Sequence, residues 1–294
     1  MKKYILGTDW WTDCDDAVAI RMLARYVKEG KIELLGIGMN ACMEASVASL
    51  RAFINLEGIG DTPVGIDLEA GDFGGNPPYQ AKVRDRFNPN CTNADAEDAL
   101  KLYRRLLASA DEPVEIIEIG YPQVLTALLA SGADEFSPLS GIELVKEKVT
   151  KLWIMAGKWD ADGEKENNFC RNERSRVAAK TLCEDWPTPI TFLGWEVGYD
   201  VLTGGNLPES DYLHDILVYH GSGAGRCSWD PMLVLMALIG DERESGYRTV
   251  TGYASVKAED GTNYFVENEN GPHKYVIKDK DNDYYKNAIN KIIE

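Results

Sequence analysis

Short apolar runs alternate with stretches of helical periodicity along most of the chain. The runs Lys3–Leu6, Glu33–Gly38, Thr62–Ile66, Val114–Gly120, Lys151–Gly157 and Pro189–Gly194 predict strands. Segments such as EIIEIG and LWIMAG are apolar at nearly every position, the pattern of strands covered on both faces. Between them, helices are predicted over Asp15–Lys28, Met43–Glu57, Ala94–Ser109, Val124–Ala130, Arg174–Glu184 and Trp229–Ile239. In the first of these, Ala17, Ile20, Leu23, Ala24 and Val27 recur at a spacing of three to four residues and make one apolar face. The alternation predicts an α/β fold, an open, mostly parallel sheet with helices on both faces and right-handed crossovers. No Pro/Gly/Ser linker divides the chain, so residues 1–294 are expected to form one domain. From about Tyr247 the pattern changes to short strands (TVTGYASV, NYFVEN, HKYVI) around a turn at 259–262, followed by a helix over Asp283–Ile293. This β-rich stretch, about 247–294, is expected to be an appendage of the same domain.

Charge narrows the function classes. The 294 residues carry 31 Lys and Arg against 48 Asp and Glu, a formal net charge of −17. Such a chain repels polyanions, so no nucleic-acid partner and no anionic membrane partner is expected. The 44% hydrophobic content argues against disorder, and no apolar stretch approaches the roughly 20 residues of a membrane span. Near the start, Asp9 interrupts the apolar run after MKKYIL before a leader core could form. The six cysteines are scattered without a C-x-x-C pair, which suggests reduced thiols and a cytoplasmic location.

In an open α/β sheet, chemistry gathers beyond the carboxyl ends of the strands. After the first run stands TDWWTDCDDA, with Asp9, Asp13, Asp15 and Asp16 inside eight positions. Helix capping by Asp13 or Asp15 accounts for one or two of them. Four crowded carboxylates repel one another unless a cation compensates, and oxygen donors favour a hard divalent ion. Farther on, Glu166-Asn167-Asn168 and Gly194-Trp195-Glu196 follow strands, and Trp229-Asp230-Pro231 opens an apolar helix. Taken alone, Asp230 reads as an N-cap with Pro231 at the first helical position, and Glu196 reads more readily as structural than as part of a pocket.

Together these segments resemble the inosine–uridine-preferring nucleoside hydrolases. The marker is the Asp-rich loop running into Asp-Asp-Ala, here TDWWTDCDDAVAI. A Gly-Pro-Leu-Thr-Asn-like turn is matched by Gly120-Tyr121-Pro122-Gln123-Val124, and a Met-Gly-Gly-like strand end by Met155-Ala156-Gly157. A Glu-x-Asn segment is matched by Glu166-Asn167-Asn168, and a His-Asp-Pro-like turn by Trp229-Asp230-Pro231. The resemblance spans nearly the whole chain. It implies Ca2+ held by Asp9, Asp16 and Asp230, with a backbone carbonyl near Gln123. It further implies Asp9 as the general base on water, and Asp15, Asn168 and Glu166 as partners of ribose hydroxyls, with Asn40 as a further candidate. The implied activity is hydrolysis of the N-glycosidic bond of a ribonucleoside or related ribosyl compound. The implied assembly is a homodimer or homotetramer.

The chain also departs from that pattern. Five residues separate Asp9 from Asp15 where three are usual, which makes Asp13 an additional metal-ligand candidate. Gly7 stands where many members carry another Asp, and Trp10-Trp11 replace a Pro-Gly-like pair. Trp229 occupies the place of a histidine that protonates the leaving purine, which marks it as a substrate-contact candidate. His220 is then a candidate acid, nine residues earlier and beyond the GSGAG loop. The tryptophans at positions 10, 11, 159, 195 and 229 fall at expected strand ends or helix starts, and read equally as core residues or as a stacking wall. The alternative is a catalytically weak or inactive ribosyl-ligand-binding protein on the same fold. A haloacid-dehalogenase-like phosphatase requires an Asp two residues after Asp9, where Trp11 stands. The EF-hand pattern beginning at Asp279 fails at Tyr284 and Asn290. The GSGAGR loop lacks the spacing of a phosphate-binding motif.

Overall fold

The structure is a computed structural model that describes residues 1–11, 13–75 and 77–294. The strands are β1 (Lys2–Thr8), β2 (Ile32–Met39), β3 (Val64–Ile66), β4 (Glu97–Asp98), β5 (Val114–Glu118) and β6 (Val149–Met155). They continue with β7 (Ile190–Leu193), β8 (Leu202–Thr203), β9 (Arg226–Cys227), β10 (Tyr247–Val256), β11 (Asn263–Glu267) and β12 (His273–Lys278). The helices are α1 (Asp15–Lys28), α2 (Ser46–Leu56), α3 (Gln80–Phe87), α4 (Ala99–Ser109), α5 (Gln123–Ala130) and α6 (Gly141–Lys148). After these come α7 (Asn167–Cys170), α8 (Glu173–Asp185), α9 (Trp195–Gly198), α10 (Tyr212–His220), α11 (Trp229–Ile239) and α12 (Asn282–Ile293).

Among the described residues the main sheet has ten strands in the order β11-β10-β12-β7-β6-β5-β1-β2-β3-β4. From β12 to β4 every neighbouring pair is parallel, and only β10 pairs antiparallel, with β11 and β12. The β-rich tail extends this sheet through the parallel pairing of β12 with β7. β8 and β9 form a separate short ribbon.

The apolar runs fold as strands buried on both faces because alternate side chains enter two different cores. Tyr4 and Leu6 of β1 face one core and Ile5 the other. On β6, Trp153 and Met155 face the first, Leu152 and Ile154 the second. The first core is built with α1, α2, α10, α11 and α12, the second with α4, α5, α6 and α8. No helix among the described residues is long and apolar enough to cross a membrane.

The sheet order places the functional end. The chain runs from β1 through β2 and β3 to β4 toward one edge, then returns to the centre and runs from β5 through β6 to β7 toward the other. The switch falls between β1 and β5, whose carboxyl ends open a crevice, the general position for ligands in such sheets. Two glycines let these ends close together. A Cβ on Gly7 would lie 2.5 Å from Cδ and 2.7 Å from Oε1 of Glu118, its partner across the β1–β5 ladder. A Cβ on Gly120 would come within 2.5 Å of the Asp9 backbone nitrogen.

Candidate active site

A cavity of about 250 Å³ opens at this crevice, bounded by the β1 loop, the β6 end, α7, α9 and the start of α11. Asp9, Asp13, Asp15, Asp16, Glu166, Asn168, Trp229 and Asp230 all line it. Within it, carboxylate oxygens of Asp15, Asp16 and Asp230 lie within 4.8 Å of one another, and all three residues are buried. Asp15 and Asp16 occupy the first turn of α1, and Asp230 that of α11. Two helix N-termini therefore converge, and their partial positive ends favour the carboxylates gathered there. The main chain joins them too, since Asp230 N donates to Asp15 Oδ2 at 3.2 Å.

This arrangement replaces the capping account. The N-cap of α1 is Cys14, and that of α11 is Ser228, neither with a side-chain cap bond. Trp229 is thus the first residue of α11, and Asp230 and Pro231 follow it.

The loop after β1 is held by its own polar atoms. Asp16 Oδ1 accepts from the Thr8 hydroxyl and, at 3.2 Å, from Trp10 N. Asp9 Oδ1 accepts from Trp11 N at 3.1 Å. Trp10 has φ +46°, the one positive value outside glycine among the described residues. A bulky side chain in that region is strained by roughly 1–3 kcal/mol. Packing offsets the strain: the indole of Trp10 is fully buried against Phe53 and Tyr79, and its N–H donates to Ser49 Oγ at 2.9 Å.

Burial dominates the electrostatics. It raises the carboxyls of Asp9, Asp15, Asp16 and Asp230 above the usual range, and repulsion from neighbouring aspartates, Asp13 included, adds to it. Glu166 is raised to about 7 by burial, against the backbone N–H groups of Asn168 (2.8 Å) and Gly157 (3.0 Å) that its two oxygens accept. Asn168 Nδ2 donates to Met155 O at 2.9 Å. An added cation relieves the repulsion that the protein alone leaves in place, so the Asp15–Asp16–Asp230 cluster could bind a metal.

Several residues lie differently from the expectation. Asp9 faces the cavity but stands outside the set of three, which includes Asp15 instead. Asp13 is half-exposed, and its carboxylate pairs with Arg226, with His220 Nε2 3.8 Å away. Asp13 thus meets a guanidinium while it also lines the cavity. Asn40 is fully buried behind the cavity, and its Nδ2 donates to Glu118 Oε1 (2.7 Å) while its Oδ1 accepts from Tyr121 N (2.9 Å). Gln123 borders a different hollow; its carbonyl accepts from Thr126 Oγ1 at 3.1 Å and its Nε2 donates to Asn40 O. Asn40 and Gln123 therefore brace the β2 and β5 ends and do not line the cavity. His220 is outside the lining as well, its Nδ1 2.8 Å from Ser222 Oγ.

The tryptophans divide between the two readings. Trp11, Trp195 and Trp229 line the cavity, whereas Trp10 belongs to the core. Trp159 packs with Phe192 and Tyr275 and, with Glu196, borders a separate hollow. Trp195 stacks on Tyr199 with centroids 4.7 Å apart and planes 6° from parallel, and Trp229 Nε1 donates to Trp195 O at 2.7 Å. Three residues enter unannounced. Arg171 lines the cavity and lies 4.6 Å over the Trp11 ring. Arg226 sits 3.7 Å from Asp15 Oδ1 and 5.2 Å over the Trp229 ring. Glu118 is fully buried at the end of β5 and raised to about 8 by that burial, and its Oε2 has no partner among the described residues. It fills the space that Gly7 leaves open. A single sequence holds no signal for these three, because each depends on which strand ends and loops meet.

No family model matches the sequence, and a search of curated proteins finds no match. Solved structures do match the fold. A purine-preferring ribonucleoside hydrolase from Gardnerella vaginalis is similar over 99% of this chain and 98% of its own, with TM-score 0.75 and 19% identity. An inosine–uridine-preferring nucleoside hydrolase from Bacillus anthracis is similar over 99% and 100%, with TM-score 0.68 and 17% identity. The type III effector protein XopQ, solved in complex with adenosine diphosphate ribose, is similar over 99% and 92%, with TM-score 0.65 and 16% identity. The mostly parallel sheet, the flanking helices and this end-to-end similarity give the chain the nucleoside hydrolase fold.

Proposed function

We propose that this protein is a calcium-dependent N-ribohydrolase, which cleaves the N-glycosidic bond of a ribonucleoside or related ribosyl compound with water. The observation that carries the proposal is the meeting of Asp230 with Asp15 and Asp16, 215 and 214 residues apart in sequence, at the β1–β5 switch point. The cavity lies near the small end of ligand pockets, about 300 Å³. Asp15, Asp16 and Asp230 would hold the cation, and their all-oxygen donor set suits Ca2+. When bound, that ion supplies positive charge that acidifies and positions a water.

The chain's own groups account for the remaining steps. Asp9, beside the cluster and facing the cavity, takes the proton from the attacking water. Glu166 and Asn168, also in the lining, hold ribose hydroxyls. As the C–N bond lengthens, positive charge builds on the sugar, and the surrounding carboxylates stabilise it. Direct attack by water inverts the anomeric carbon, as in inverting glycosidases. The same proposal sets the protein in the cytoplasm as a homodimer or homotetramer, with its six free cysteines reduced; light scattering reads the assembly.

One observation favours a second reading, a ribosyl-ligand-binding protein with little or no turnover: the cavity lining contains no histidine among the described residues. Nitrophenyl riboside separates the two readings, because its leaving group needs little protonation. The expected result is ribose release with Ca2+, abolished by Asp9→Ala. Tight ribose binding without release supports the second reading instead.

A further inference from the structure

We propose that the cavity is built for cationic N-ribosides, in which ribose is joined to a quaternised ring nitrogen, such as a ribosylpyridinium or an N-alkylated purine nucleoside. The proposal rests on the N-ribohydrolase reading and names its substrate class. Three independent features of the cavity carry it.

The first is charge. The lining holds six carboxylates, those of Asp9, Asp13, Asp15, Asp16, Glu166 and Asp230, and one guanidinium, that of Arg171. Arg226 adds a second guanidinium behind Asp13 and Asp15. With these two and one divalent ion counted against the six, two negative charges remain when all six are ionised. A cationic ring meets a favourable field there.

The second is the absence of an imidazole, ammonium, phenol or thiol donor. A neutral base leaves with a negative charge unless it is protonated as the bond breaks. Among the described residues the lining contains no His, Lys, Tyr or Cys. Both oxygens of Glu166 already accept backbone N–H groups. The indole N–H of Trp229 is directed to Trp195 O, and Arg171 Nη2 to Phe73 O. A quaternised nitrogen removes the need for a donor.

The third is the aromatic wall. Trp195 and Trp229 lie with centroids 6.2 Å apart at the cavity edge, and Tyr199 stacks behind Trp195. Arg226 already lies over the Trp229 ring. Indole faces attract cations as well as stacking on flat rings.

The step balances without an acid. The water oxygen bonds to the anomeric carbon as the C–N bond breaks, and the bonding electron pair passes to the ring nitrogen and cancels its positive charge. The water proton goes to Asp9 and then to solvent. Each turnover of a cationic substrate therefore releases one net proton, and a neutral nucleoside releases none.

The test compares 7-methylguanosine with guanosine, which differ by one methyl and one charge, using nitrophenyl riboside as the control substrate. Because the methylated nucleoside is intrinsically more labile, inhibition by N-methylnicotinamide and by nicotinamide is measured as well. The expected results are a kcat/KM ratio of about 100-fold or more for the methylated nucleoside, one proton per turnover in a pH-stat held below the pKa of that nucleoside's N1–H, where it is cationic, and at least about tenfold tighter inhibition by the cation. Trp229→Leu and the rim variant Trp195→Leu should each reduce the inhibitor ratio, so misfolding of one does not remove the test. Turnover of nitrophenyl riboside together with equal inhibition by the two nicotinamides overturns the proposal and leaves the hydrolase reading standing. Guanosine turnover that matches 7-methylguanosine and falls in His220→Gln also overturns it, with His220 as the donor. No turnover of any substrate, nitrophenyl riboside included, overturns both.

Discussion

Gly7→Ala should be one of the costliest single-methyl additions in this protein, because of where Glu118 lies. The added Cβ would sit 2.5 Å from Glu118 Cδ and 2.7 Å from Oε1, well inside van der Waals contact. Glu118 cannot move freely: it is fully buried, and its Oε1 accepts from Asn40 Nδ2 at 2.7 Å and Gly120 N at 2.9 Å. Overpacking a filled site costs about 1–3 kcal/mol, and loosening either hydrogen bond adds about 1–3 kcal/mol. The sum is about 2–6 kcal/mol. At the low end of about 2 °C per kcal/mol for a chain of this size, Tm should fall by about 4–12 °C. The displacement should also reach the cavity, because Asn40 Oδ1 holds Tyr121 N, and the Tyr121 hydroxyl accepts from Asn167 at the lining. The assay is thermal and urea unfolding of Gly7→Ala, Glu118→Ala and the double variant, with Gly132→Ala as the control, since a Cβ there meets nothing within 4 Å. The double variant should be more stable than the sum of the single losses by about 1–3 kcal/mol. Strict additivity, or a Gly7→Ala loss no larger than that of Gly132→Ala, would refute the idea that Glu118 occupies the space above Gly7.

Three further outcomes follow from buried charge. In chelator, stability should decline as pH rises from about 4.5 to about 8. Glu118 and Glu166 are raised to about 8 and about 7, so their contribution is full below the ordinary carboxyl range and is lost as they ionise in the folded state; added Ca2+ should flatten the decline, read by urea unfolding at three pH values. Asp230→Asn should remove a like charge from the cluster and stabilise the metal-free protein by on the order of 1 kcal/mol, while calorimetry shows weakened Ca2+ binding. Arg21→Ala should destabilise by about 3–5 kcal/mol, because it leaves Glu57, 1% exposed and 2.6 Å from Arg21 Nε, as an unpaired buried charge; a loss under about 1 kcal/mol in urea unfolding contradicts this.

The legible parts of the fold were those written in local pattern. Unbroken apolar runs marked β5 and β6 as doubly covered strands, and the Asp-rich loop marked the end of β1 as a candidate site. Strand limits shifted where backbone geometry decided them. The run expected over Val114–Gly120 leaves the sheet after Glu118, and the run expected from Thr62 enters it only at Val64, past Pro63, which has no N–H to donate. Helices α3, α6 and α10 went unread because their apolar faces are narrow and their flanks are rich in turn residues. In the site, sequence could place a residue near a strand end but not choose the direction of its side chain. Asn40 and Gln123 follow β2 and β5 as expected, yet turn toward each other and toward Glu118 behind the cavity. Glu118 itself looks like one more acid in EIIEIG until the β1–β5 register sets it opposite Gly7. Asp13 and Arg226 are 213 residues apart, and only the fold brings their charges together.

The central claim is that Asp15, Asp16 and Asp230 cage a cation that primes water against a ribosyl bond. The most direct measurement is ribose release from nitrophenyl riboside by chelator-stripped protein as Ca2+ is added back. Release should be absent in chelator, should rise with Ca2+ to a plateau, and should stay absent in Asp230→Asn at the same Ca2+ concentrations. Release that continues undiminished in chelator, or that is unaffected by Asp230→Asn, would contradict the account.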